Sequence, residues 1–77
     1  MTPDAVEREA AALCAQLTDR ERDTLIYSAK GLNAFHIADM LGCKPRTVEN
    51  YRAGILRKLE VATIIEAAVI AAKAGIA

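Results

Sequence analysis

AFHIADMLGCKPRTVENYRAGILRKL, residues 34–59, reads as two short helices with three residues between them. Asn33 stands ahead of the first as an N-cap, and Leu32 and Ile37 have the spacing of a hydrophobic staple across that cap. The first helix runs to Leu41 and stops at Gly42, because a residue without a Cβ suits the left-handed conformation that closes helices. Pro45 opens the second, where its missing amide hydrogen costs nothing. Gly42, Cys43 and Lys44 are left to make the turn, and two short helices joined by a tight glycine-containing turn form a helix-turn-helix pattern.

The second helix of that pair has two chemically different faces. At about 100° per residue, Val48, Ile55 and Leu59 fall together, flanked by Tyr51 and Arg52, and this side belongs to a core. The opposite side carries Arg46, Glu49, Asn50, Ala53 and Arg57, with Thr47, Gly54 and Lys58 at one margin. These residue types suit a DNA major groove. Asn pairs bidentately with adenine and Arg with guanine, Glu accepts from cytosine, and Ala53 or Gly54 lets a helix come close. Thr47 and Lys58, at the edge, suit phosphates. Gly54 costs roughly 1 kcal/mol relative to alanine inside a helix, so its presence calls for a reason.

Working outward, Thr18 with Glu21 makes a capping box, which predicts a helix from Asp19 to about Lys30 that Gly31 closes. Upstream, residues 3–16 read as a further helix with Val6, Ala10, Leu13 and Leu17 on one stripe. Downstream, Thr63 with Glu66 repeats the capping-box spacing, and the last helix ends at Gly75. The expected fold is all-α, with four core helices over residues 17–77 and an additional N-terminal helix over residues 1–16.

Composition agrees with helices: 53% of the 77 residues are hydrophobic, but with one Phe, two Tyr and no Trp the core must be aliphatic and alanine-rich. Ten basic and ten acidic residues cancel, yet they are segregated. Residues 1–23 hold six acids against three bases, whereas residues 44–58 hold five bases against Glu49 alone. Half the positive charge therefore sits on the segment whose outer face suits a polyanion. Cys14 and Cys43 lack metal-ligand spacing, and His36 is the only histidine, so neither a zinc site nor a catalytic base is expected. No nucleophile arrangement or phosphate loop is recognisable, and the expected chain is a non-enzyme without cofactors. Without a signal-peptide pattern or an apolar stretch long enough to span a bilayer, it is expected to be soluble and cytoplasmic.

These segments together resemble the LuxR/FixJ/GerE family of bacterial helix-turn-helix domains. The pattern appears as L-T-x-R-E-R from Leu17 to Arg22, G-L at Gly31 and Leu32, I-A-x-x-L-G from Ile37 to Gly42, and T-V-x-N-Y-R-x-x-I-x-x-K-L from Thr47 to Leu59. The resemblance implies four helices, the third reading double-stranded DNA and the fourth making a dimer contact, in a transcription regulator. By position it implies base reading by Glu49, Asn50 and Ala53, with Thr47 and Lys58 on phosphates. The chain departs from the family pattern at Lys44 in place of a capping Ser, at Phe35 and His36 in place of a Lys-Glu pair, and at Glu60 in place of a glycine.

The last helix is apolar nearly all round. If Ile64, Ile65, Ala68, Val69 and Ala72 face the core, then Ala67, Ile70, Ala71 and Ala74 form an outer strip, which predicts a homodimer through that strip unless the N-terminal helix covers it. A second function class stays open at this point: a protein-interaction module that pairs with another regulator through the same helix.

Overall fold

The computed structural model describes residues 4–77 as five helices, with no strand among them. They are α1 (Ala5–Cys14), α2 (Asp19–Ala29), α3 (Ala34–Leu41), α4 (Pro45–Leu59) and α5 (Ile64–Ala74). The ends fall where local chemistry sets them. Thr18 and Glu21 form a complete capping box at the start of α2, and the Asn33 side chain accepts from the His36 amide at the start of α3. Gly42 closes α3 at φ 69°, in the left-handed region that a glycine enters without cost. Lys44 offers no side-chain cap to α4, as its lack of an acceptor requires. At the start of α5 the Thr63 hydroxyl accepts from the Glu66 amide but gives its own proton to the Glu66 carboxylate, so that box is only half made.

Two apolar clusters hold the helices. Leu25, Ile55, Leu59, Ala67, Ala71, Cys14 and Leu17 make one, and Ile37, Ala38 and Val48 make the other, with Leu32, Tyr27, Leu41 and Cys43 packed around it. Leu32, expected to form a staple with Ile37, packs against the second cluster, of which Ile37 is a member. Because α4 supplies Ile55 and Leu59 to one cluster and Val48 to the other, it is the wall the two share.

Two expectations are corrected. In α1, Ala10, Leu13 and Leu17 turn inward with Cys14, but Val6 is 53% exposed at the edge of the contact with α5; Pro3 lies outside the described residues. In α5 Ile64 packs against the core as expected, but the rest of the expected faces are exchanged. Ala67 and Ala71 are fully buried, and Ile70 and Ala74 pack against the same cluster, whereas Ile65 is 75% and Val69 49% exposed. Both α1 and α2 pack against α5. Alanine at 67 and 71 allows that close approach, so the small-residue strip faces the chain's own helices and not a second copy.

An open cleft of about 180 Å³ remains between α1 and α5, lined by Val6, Glu9, Ala10, Leu13, Ile70 and Lys73. Charge introduced on the apolar wall of this contact is poorly solvated. Ile70→Glu is expected to destabilise the fold by roughly 2 kcal/mol, read from the urea midpoint. An unchanged midpoint would show that α1 is not held on α5.

Candidate nucleic-acid interface

The face of α4 turned away from the core is open. Arg46, Glu49, Asn50, Ala53 and Arg57 are all exposed, while Thr47 and Lys58 are half-buried at its margin. Among the described residues the side chains of Arg46, Asn50 and Arg57 have no hydrogen-bond or ion-pair partner, so their polar atoms are available to a ligand. The first turn of α4 holds no acid and is flanked by Lys44 and Arg46. Cations at a helix N-terminus oppose the macrodipole, and an anion seated there removes that conflict.

α4 is held in this presentation by ties to the helices behind it. The Leu41 carbonyl at the end of α3 accepts from Arg20 Nη1 at 2.9 Å, and Cys43 N donates to the Ala38 carbonyl at 3.0 Å, which fixes the turn leading into α4. From α2, Glu21 is 6% exposed and its Oε1 accepts from Lys58 Nζ at 2.6 Å and from the Thr18 amide at 2.9 Å. Burial alone pushes the Glu21 carboxyl up. The bonds from Lys58 and from the backbone and side chain of Thr18 outweigh it and hold the pKa below the ordinary carboxylate value.

The same tie bears on two marginal residues. Lys58, expected to meet phosphates, bonds Glu21 in the unliganded domain through one of its three ammonium donors. Gly54 was expected to ease approach to a groove; it is buried and faces α2, and a Cβ there would collide with Glu21 Oε2. The Glu21 carboxylate thus lies over Gly54, and a Cβ at this position requires the Glu21 side chain to shift. Arg52 was placed at the flank of the core face, and there it spans to Glu49 Oε1 at 3.3 Å and to Ser28 Oγ and the Leu32 carbonyl at 3.5 Å each. Burial pushes the Cys14 thiol up, despite the charge of Arg22, and among the described residues no group of three or more His, Cys, Asp or Glu side chains could hold a metal.

A short helix, a rigid three-residue turn and a second helix with an open, polar and mostly basic outer face define a helix-turn-helix domain of the kind that docks in nucleic-acid grooves. Residues 15–71 match the GerE domain, described as bacterial regulatory proteins, luxR family. The chain belongs to that family. It is 40% identical over 68 residues to the transcriptional regulatory protein UhpA of Salmonella typhimurium, an alignment covering 88% of this chain and 35% of the relative. It is 51% identical over 51 residues to the transcriptional regulatory protein DesR of Bacillus subtilis, covering 66% of this chain and 26% of the relative. With the transcriptional regulatory protein FixJ of Azorhizobium caulinodans the identity is 41% over 69 residues, covering 90% of this chain and 33% of the relative. The chain thus spans about a third of the length of these curated relatives, or less.

The Glu21 tie makes a pH prediction. Because its folded pKa is lowered, the stability it contributes is present above the unfolded carboxylate value and is lost as pH falls through the folded one. Urea midpoints measured across the acid range are expected to fall more steeply for the wild type than for Glu21→Gln, which is less stable at neutral pH. Parallel curves for the two would show that the carboxylate gains nothing from its partners.

Proposed function

We propose that residues 17–77 are the DNA-binding unit of a transcription regulator, with residues 1–16 as a helical extension. The observation that carries this reading is the outer face of α4, where Arg46, Asn50, Ala53 and Arg57 stand exposed and without internal partners on a helix fixed from behind. In this reading α4 enters the major groove of double-stranded DNA. Glu49, Asn50 and Ala53 meet base edges, Arg46 and Arg57 reach guanines or the flanking backbone, and Thr47 bonds a phosphate. Lys58 acts through Glu21, holding α4 against α2.

The reading assigns the chain no catalytic chemistry and no cofactor, and it places the protein with its DNA in the bacterial cytoplasm. No helix among the described residues is long and apolar enough to cross a membrane. An interaction module working only through its last helix does not account for an exposed basic face on α4.

The partner-facing strip moves with the corrected register of α5. Ile65, Val69 and Ala72 are the exposed apolar residues there, and a second copy is the partner we assign to them. Burial of so short a strip at about 25 cal/mol per Å² gives a weak dimer off DNA, since association entropy opposes it. A two-fold axis along α5 would set two α4 helices on successive major grooves about 34 Å apart, over an inverted repeat.

Two measurements test these assignments. DNA affinity is expected to fall with salt at a slope of roughly −0.9 per neutralised phosphate, and Asn50→Ala to relax preference at one base pair by about 1–3 kcal/mol while leaving binding to random DNA unchanged. Equal loss on both DNAs would remove Asn50 from the base-reading set. In analytical ultracentrifugation, Ile65→Glu is expected to keep the fold and lose self-association; a wild type that stays monomeric at high concentration excludes the dimer.

A further inference from the structure

α4 carries one acid among its bases. Glu49 lies on the groove face with 59% of its side chain exposed, where an unpaired carboxylate would repel a phosphate backbone. It is not unpaired. Arg52, one turn on, places Nη1 3.3 Å from Glu49 Oε1.

This Arg differs from an ordinary surface partner. A solvent-exposed pair three residues apart is weak, because both long side chains must be ordered to make it. Arg52 is only 22% exposed along its side chain, and its other terminal nitrogen reaches back 3.5 Å to Ser28 Oγ in α2 and 3.5 Å to the Leu32 carbonyl ahead of α3. Its Nε is buried without a hydrogen-bond partner. The guanidinium is therefore lodged between the α2–α3 connection and Glu49, ordered before any ligand arrives. Its contacts, at 3.3 to 3.5 Å, are long for charge-assisted bonds, and among these partners Glu49 alone carries a charge for the guanidinium to offset.

We propose that Arg52 is a positioning residue for base reading: from behind the groove face it orients the Glu49 carboxylate and offsets its charge, so that Glu49 accepts from a cytosine amino group where it would otherwise repel the backbone. This rests on the reading of α4 as a major-groove helix. Arg52 itself touches no base. Its effect on sequence preference passes wholly through Glu49, which distinguishes it from a strut that merely holds the fold.

The test is selection from a randomised double-stranded DNA library with the wild type, Glu49→Gln, Arg52→Met and the double variant. Affinities for the selected duplex are measured by fluorescence anisotropy, and folding is checked by thermal melts. Glu49→Gln is expected to flatten cytosine preference at one base pair. Arg52→Met is expected to flatten the same base pair and no other, and to weaken binding to the selected duplex about tenfold. Added to Glu49→Gln it changes affinity less than about twofold, the mark of a residue acting through its partner. Ser28→Ala, which removes a rear anchor and leaves Glu49 and Arg52 in place, is expected to shift the same base pair in the same direction, so the proposal stays testable if Arg52→Met melts. An intact preference in Arg52→Met or Ser28→Ala, or an equal loss with and without the Glu49 carboxylate, overturns it. A wild type that selects no sequence from the library overturns the DNA-reading assignment of α4 instead, an outcome separate from normal selection that ignores Arg52.

Discussion

The Glu21 carboxylate lies where α2 crosses α4, nearly out of water, and three features of the domain follow from it. It completes the capping box that starts α2, it binds the Lys58 ammonium near the end of α4, and it occupies the space where residue 54 would otherwise carry a Cβ. A buried carboxylate without partners would be strongly destabilising, so its donors are as necessary as the charge itself. One side chain thus caps the start of one helix, bonds the end of a second, and lies over the glycine in the second helix's middle.

The position of α4 in the core extends that constraint. Its inner residues divide between two clusters, Val48 with Ile37 and Ala38 on one side and Ile55 and Leu59 with Leu25 and Ala67 on the other. Turning α4 about its axis would open both clusters at once. The outer face is correspondingly rigid, and rigidity there is useful: a groove-reading helix that is already oriented loses little entropy on docking.

How much of this was legible in the sequence depended on how far apart the interacting residues lie along it. Helix boundaries at Thr18, Asn33, Gly42 and Pro45 follow from chemistry within three or four residues and were read correctly to within a residue or two. The polar side of α4 was legible because Val48, Ile55 and Leu59 set an unambiguous inner stripe. The burial of Gly54 and the ion pair of Lys58 were not legible because the group that meets both, Glu21, lies more than thirty positions away and no periodicity connects them. The faces of α5 were largely exchanged for a different reason. Alanine or isoleucine fills most positions and the polar side is narrow, only Glu66 and Lys73 on one face, so the choice between the apolar faces is made by α1 and α2 closing on Ala67 and Ala71.

α1 is joined to the other helices by apolar contact alone, with no side-chain hydrogen bond or ion pair crossing from it among the described residues. Such an attachment has a thermal character of its own. Apolar association weakens on cooling, whereas the bonds that fasten α4 to α2 do not depend on ordering water around hydrocarbon. Temperature therefore acts unevenly across the domain: α1, held on α5 without a polar bond, loses more of its attachment in the cold than α4, which keeps the Lys58–Glu21 bond beside its apolar contacts.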